Sequence, residues 1–328
     1  MLTEKPCDDV ASLSGEASYQ IEPVGEIIRF TGPEDLSGID RIDGDRYVGV
    51  ADSHGVFAEL EIEIDPTNGA VTSFVCVHTN VLNGVVDAEG VAFDRFSSHI
   101  WVSDEASETI REFDLSGNRF REVQLPECFR RCHANYGLES LAVDPSGKVM
   151  WTCNEETLAC DGELSTKKHG SFVRLTRFVR AGVTDAWRCD GQWVYRTGRV
   201  RGGTYKGVSF SGVSDLCVLP DGTLLVLERE MSRSLLPRFR ARIYQVDFRD
   251  ATDILSFESL KGTEWTPVRK TRIFEERTGR ANYEGMCLGP RLSDGSYVLL
   301  LVSDGDGLAT ERLYSLRIRP ASAPVQSM

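Results

Sequence analysis

A short pattern recurs five times along the chain: DLSGI at 35–39, DAEGV at 87–91, GLESL at 137–141, GVSDL at 212–216 and NYEGM at 282–286. Aligned on Ser37, Glu89, Glu139, Ser214 and Glu284, the copies stand 52, 50, 75 and 70 residues apart. Each is followed by a turn and a second apolar run, rich in Val, Leu or Trp, that ends in an acidic or amide cluster: VADS, VSDE, TCNEE, LERE and VSDGD. Self-similarity at such a period decides an architecture before any local propensity does. The shorter spacings suit one four-stranded blade of a β-propeller, and the longer ones suit blades with loop insertions. The second copy shows this most cleanly. AEGVAF, HIWVSDE, TIREFDL and FREVQLP read as strands, with DRFSS, ASE and SGN as the turns between them.

The ends of the chain complete the count. Residues 1–18 are polar and read as a flexible N-terminus, after which YQIEPVGEIIRF at 19–30 reads as a strand with no blade of its own. The last repeat holds only three strands, NYEGMCLG, SYVLLLVSD and RLYSLRI, before a flexible tail at 320–328. The N-terminal strand therefore completes the last blade and removes the sheet edges that an open array would leave. The expected fold is all-β: one propeller over 19–319, with five blades of four antiparallel strands. Insertions are expected at 157–170, 231–240 and 250–265, with a helical turn in DILSFESLKG. Trp101 and Trp151, at matching second-strand positions, are expected to fill the core between blades.

Composition narrows the function classes. A formal charge of −13 argues against a general nucleic-acid binder, which needs basic surface to displace counterions. No run of about twenty apolar residues is present, so no membrane span is expected. The first residues lack a charged segment leading into an apolar stretch, so no signal peptide is expected in this chain; a cytoplasmic protein and one whose signal has been removed stay equally open. Of the nine cysteines, Cys76, Cys217 and Cys287 read as small apolar strand residues. Cys128 with Cys132, and Cys153 with Cys160, are either disulfide pairs or free thiols.

In a propeller the first strand of each blade lines the central channel, so the aligned Ser37, Glu89, Glu139, Ser214 and Glu284 form a ring. Close carboxylates repel and resist ionising unless a cation is present. A ring of oxygens without His or Cys favours a hard ion, Ca2+ before Mg2+. The competing reading is that these side chains only bond to backbone amides of neighbouring blades. The clusters ending the second strands supply Asp52, His54, Asp104, Glu105, Asn154, Glu155, Glu228, Arg229, Asp304 and Asp306, of which Asp52, His54, Asp104, Glu105, Glu228, Arg229 and Asp304 are the candidate catalytic groups. A carboxylate or His54 would act as general base and Arg229 would steady developing charge. No nucleophile elbow or Ser-His-Asp order is visible, which disfavours covalent serine catalysis.

Taken together, SGI with VADS, AEGVAFD with VSDE, LESLAVDPSG with NEE, SDLCVLPDGTLLVLERE, and NYEGM with VSDGD resemble the esterase-like activity of phytase family, over roughly residues 30–318. The resemblance implies phosphoester chemistry and, since such proteins are commonly exported, a periplasmic or secreted location. The Ser, Glu, Glu, Ser, Glu order is also similar to the inner-strand calcium ligands of the five-bladed calcium-activated nucleotidases, whose remaining sequence does not match. Loops expected at one channel mouth carry Arg130, Arg131, Lys167, Lys168, Arg199, Arg201, Lys206, Arg229, Arg233, Arg277 and Arg280. A basic rim on an acidic protein attracts an anionic small-molecule substrate. Two other classes stay open: a calcium-dependent lactonase, as in six-bladed gluconolactonase-type propellers, and a propeller that binds a ligand or protein without catalysis.

Overall fold

The computed structural model describes residues 18–30, 32–52, 55–132, 136–203, 209–233, 237–305 and 310–321. Their strands form five antiparallel sheets, one per repeat. Blade 1 comprises β3 (Leu36–Asp43), β4 (Arg46–Ala51), β5 (Val56–Ile64) and β6 (Val71–Val81); blade 2 comprises β7 (Ala88–Asp94), β8 (His99–Asp104), β9 (Thr109–Phe113) and β10 (Arg119–Glu122). Blade 3 holds β11 (Leu138–Val143), β12 (Val149–Asn154), β13 (Phe172–Val179) and β14 (Arg188–Arg196). Blade 4 holds β15 (Ser209–Val218), β16 (Leu224–Arg233), β17 (Pro237–Asp247) and β18 (Arg269–Gly279). Blade 5 is built from β19 (Asn282–Arg291), β20 (Tyr297–Asp304) and β21 (Glu311–Pro320).

The N-terminal segment supplies the missing outer strand, in two pieces. β1 (Tyr19–Pro23) pairs antiparallel with β21 from Tyr19↔Pro320 to Pro23↔Leu316, and β2 (Ile28–Phe30) pairs from Ile28↔Leu313 to Phe30↔Glu311. Between them Gly25 takes a left-handed φ of 66° and packs so close to blade 1 that a Cβ would lie 2.7 Å from that of Ala70. Only glycine adopts this bend without strain.

Alternating apolar residues on each sheet meet those of the next blade, so the core is a closed series of inter-blade layers. Val50 and Phe57 of blade 1 pack with Val91 and Phe113 of blade 2, and Trp101 of blade 2 packs with Met150 and Phe178 of blade 3. Cys153 and Val173 meet Val213 and Val226, Leu227 and Ile243 meet Met286 and Leu301, and Cys287 and Leu300 return to Ile39 and Leu60 of blade 1. Each layer depends on both neighbours, which makes ring closure part of stability. Trp101 is 1% exposed and meets Trp187 edge-on at 6.1 Å, while Trp151 packs on Trp193 and Phe248, so both serve the core.

Two sequence expectations change and one open choice is settled. Residues 231–240 are mostly strand rather than a loop insertion, because β16 and β17 stay paired out to Arg233↔Pro237. DILSFESLKG forms turns without a helix, and its Ile254 and Leu260 pack on Val194 of blade 3. The eight described cysteines are all free thiols, so neither Cys128 with Cys132 nor Cys153 with Cys160 is bridged. Burial raises the thiol pKa of all four, the profile of inert rather than reactive cysteines.

Candidate functional site at the channel axis

Every residue of the aligned ring sits in a break in strand register. The pairing of first with second strand slips between Leu36 and Gly38, Ala88 and Val91, Leu138 and Ser140, Val213 and Asp215, and Tyr283 and Gly285. The residues left over are Ser37, Glu89 with Gly90, Glu139, Ser214 and Glu284. Such a bulge re-aims a side chain that strict alternation would place elsewhere. The following position is glycine in three blades because neighbouring inner strands nearly touch. A Cβ on Gly38 would lie 2.5 Å from the Glu89 carbonyl oxygen, and one on Gly90 would lie 2.6 Å from the Leu141 nitrogen.

The ring residues are all buried, but they do not behave alike. Ser37 Oγ donates to the Ala88 carbonyl at 2.5 Å and Ser214 Oγ donates to the Tyr283 carbonyl at 3.4 Å, each reaching the next blade. These hydroxyls staple blades. The three glutamates lie in a larger carboxylate nest threaded by Arg229 from β16. Its Nε and Nη2 donate to Glu155 Oε1 at 2.8 and 2.7 Å, Nη2 lies 3.4 Å from Glu139 Oε1, and Nη1 contacts Glu284 Oε1. The guanidinium carbon lies 5.3 Å from the centre of the Phe210 ring.

On the other side of the nest, Asp87, Glu89 and Glu105 each offer an oxygen within 4.8 Å of the others'. The Gly137 amide fixes Glu105 Oε1 at 2.6 Å. Asn282 Nδ2 donates to Glu284 Oε1 at 2.7 Å, while Asn282 Oδ1 is buried without a partner among the described residues. Charge is poorly balanced here. Burial pushes Glu89 and Glu139 well above the usual carboxylate range; Asp87 and Glu105 repel Glu89, Glu89 and Glu155 repel Glu139, and Arg229 opposes both shifts only in part. Burial likewise raises Glu105 to about 7. Burial opposes the charge of Arg229, but Glu155 and Glu139 outweigh it and hold the guanidinium charged.

The other sequence candidates divide. Asp52 joins the nest electrostatically, as one of the charges that repel Glu89. Asp104 is used inside blade 2, where it accepts from Arg111 Nη1 at 3.0 Å and Ser107 Oγ at 2.6 Å. Glu228 is corrected to a structural role. Successive strand residues face opposite sides, so with Arg229 aimed at the axis Glu228 points into blades 3 and 4, accepting from Tyr195 Oη at 2.7 Å and Gly198 N at 3.0 Å and contacting Lys270 Nζ. Asp304 belongs to a separate cluster with Asp35 and Glu311. His54, Lys206 and Asp306 lie outside the described residues. Asp87 and Asn282 were missing from the predicted site, whereas Glu155 was among its candidates. An acid or amide two places before the ring position was visible in DLSGI, DAEGV and NYEGM.

The basic rim is only partly a rim. Arg229 is 13% exposed by side chain, with its donors taken up by protein carboxylates. Arg130 pairs with Glu127 at 2.9 Å and Arg201 lies 3.7 Å from Glu275. At the opposite mouth, a cavity of about 290 Å³ is lined in part by Asp40, Arg41, Phe93, Arg95 and Arg291. Asp40 lies three residues beyond Ser37, about 10 Å along the strand. Arginines thus border both ends of the channel, and charge placement alone does not choose between them.

Beside the nest, burial raises Glu108 to about 7, and its Oε2 is buried without a hydrogen-bond partner among the described residues. A carboxyl whose folded pKa exceeds its unfolded value near 4.5 contributes stability below that value and loses it as pH rises through about 7. Glu108→Gln is therefore expected to leave stability at pH 5 unchanged. At pH 8 it should gain roughly 1–2 kcal/mol, partial exposure trimming the full effect. Denaturant melts at the two pH values check this, and an equal gain at both would contradict it.

A family model described as phytase-like, esterase-like activity of phytase, matches residues 31–307. The chain belongs to that family. No curated protein matches it. Among solved structures, a luciferin-regenerating enzyme is 10% identical, covering 90% of this chain and 95% of that one at a TM-score of 0.43. A periplasmic gluconolactonase from Pseudomonas aeruginosa is 11% identical, covering 88% and 89% at 0.35. Kuenenia stuttgartiensis hydrazine synthase is 14% identical, covering 90% of this chain and 66% of that one at 0.36. Likenesses this distant carry no argument about activity. This member of the phytase-like family has five blades.

Proposed function

We propose that this phytase-like propeller is a hydrolase that cleaves an anionic ester at the axial mouth with the help of a hard divalent cation, calcium before magnesium. The observation that carries the reading is the carboxylate nest: Asp87, Glu89, Glu105, Glu139, Glu155 and Glu284 gather around one arginine. Buried charge this unbalanced is costly unless a further cation joins it. The donor set fits a hard ion, all carboxylate oxygens and no sulfur or imidazole. The residues that would hold it are Asp87, Glu89 and Glu105, whose oxygens already converge. Bound there, such a cation supplies Lewis-acid stabilisation of an ester oxygen and lowers the pKa of water.

The chain's own residues supply the rest. Glu105 has one oxygen held by the Gly137 amide, which orients its carboxylate beside Asp87 and Glu89. Arg229 departs from the sequence expectation. With its donors committed to Glu139, Glu155 and Glu284, it positions the nest and offsets part of its charge rather than gripping a substrate. The ester chemistry is supported by the family. The anionic character is supported by exposed Lys167, Lys168 and Arg199 on loops that the strand order places at this mouth.

The test is hydrolysis of p-nitrophenyl phosphate and p-nitrophenyl acetate by the full chain, after chelation and again with added calcium. The expected result is phosphate ester cleavage that chelation abolishes and calcium restores, exceeding acetate cleavage by at least tenfold. Failure to cleave either ester in saturating calcium overturns the hydrolase reading, and a preference for acetate overturns the anionic substrate.

A further inference from the structure

We propose a second divalent-cation site at the seam where the first and last blades meet, formed by Asp35, Asp304 and Glu311. Asp35 precedes β3 of blade 1, Asp304 ends β20 and Glu311 opens β21 of blade 5. Each offers an oxygen within 4.8 Å of the others', and none belongs to the axial nest. Glu311 is 5% exposed and Asp304 6%.

The carboxylate of Glu311 is held by one edge only. Its Oε1 accepts from the Asp35 amide and the Gly305 amide, both at 3.0 Å. Oε2 is buried, with no hydrogen-bond partner and no lysine or arginine ion pair among the described residues. A buried acceptor left without a donor costs about 1–3 kcal/mol, and more when ionised. Protein groups that wanted only a structural carboxyl would satisfy both oxygens. This one keeps an oxygen free beside two further carboxylates. Such a set, all oxygen and acidic, suits calcium or a similarly hard divalent ion, with water completing the coordination.

The consequence is mechanical. Asp35 and Glu311 are 276 residues apart in sequence, yet they join at the junction already stitched by β2 and β21. An ion here would tie the two ends of the ring together, and it would stabilise the closed propeller by mass action.

Calorimetric titration of calcium chloride into the chelator-treated full chain tests this, with wild type, Glu311→Gln and Glu89→Gln compared. The wild type is expected to bind one more calcium ion than Glu311→Gln, or that ion at least tenfold more tightly, while Glu89→Gln keeps the seam ion. If the axial reading is wrong, Glu311→Gln removes all calcium binding and Glu89→Gln removes none, so the two proposals fail separately. Equal stoichiometry and affinity in wild type and Glu311→Gln overturn the seam site. Should Glu311→Gln not fold, Asp304→Asn replaces it. If that also fails, elemental analysis of Glu89→Gln after gel filtration in calcium decides: one bound equivalent supports the seam site and none overturns it.

Discussion

Replacing Arg229 by methionine is expected to destabilise the protein by about 3–5 kcal/mol at neutral pH in the presence of chelator. The shape of the side chain is largely kept, so little packing is lost. What is lost is the positive charge that Glu139, Glu155 and Glu284 share. These carboxylates must then be protonated or repel one another inside the channel. Two features distinguish this from a packing defect: the loss should shrink as pH falls and the carboxylates take up protons, and calcium should recover part of it by giving the nest another counter-charge. Denaturant melts of wild type and Arg229→Met at pH 5 and pH 7.5, with calcium and with chelator, measure both. A loss independent of pH and of calcium would mean that the arginine acts by packing alone.

Much of this arrangement was legible in the chain, and for a physical reason. A propeller repeats one supersecondary unit, so a side chain needed at the axis recurs at a fixed place in each copy, as Ser37, Glu89, Glu139, Ser214 and Glu284 do. Closure was legible too, since a blade one strand short and a strand without a blade answer each other, and β1 and β2 do pair with β21. The bulges were not legible. A slip in register depends on how two strands meet, and nothing in the composition of DAEGV states that Glu89 leaves the ladder.

The same gap misplaced neighbours. Glu228 and Arg229 are adjacent letters in LERE, but the pleat sends them to opposite sides of blade 4, one to Tyr195 and Lys270 and the other to the axis. Asp304 looked like part of the mouth because VSDGD ends a second strand, yet its partners Asp35 and Glu311 come from a turn and a third strand that no local pattern links to it. Cysteine spacing left bridge and free thiol equally open; Cys128 and Cys132 pack against the same core layer, yet no bridge forms among the described cysteines. Charge along loops also said less than it promised, because Arg41, Arg95 and Arg291 border the other mouth.

Glu89→Gln carries the second large expectation. The amide keeps the size and most of the hydrogen bonding of Glu89 but removes a charge from the trio it forms with Asp87 and Glu105. Calcium affinity at the axis should fall by about 10–100-fold or more, the upper end of what even supporting residues are worth at metal sites. Calcium-dependent ester cleavage at fixed low calcium should fall with it. The apo protein should not suffer, since burial and repulsion already hold Glu89 well above the usual carboxylate range. Glu89→Gln in chelator is therefore expected to melt at or above the wild-type temperature. A variant that melts well below wild type in chelator, with unchanged calcium response, would show that Glu89 serves the fold and not a cation.

The most direct measurement is the thermal melt of the wild-type chain in excess calcium and in chelator, paired with elemental analysis of protein purified without chelator. At a calcium concentration about a hundredfold above the dissociation constant, binding adds about 2.7 kcal/mol, which for a chain of this size is a rise of roughly 4 °C. The seam ion would contribute to that rise as well, so the same pair of melts is run on Glu311→Gln. The account predicts bound divalent metal and a calcium-dependent rise that survives Glu311→Gln and shrinks in Glu89→Gln to the share that the seam ion supplies. Equal melting temperatures in calcium and chelator, with no metal found, would contradict it and remove the support for a cation-assisted hydrolase.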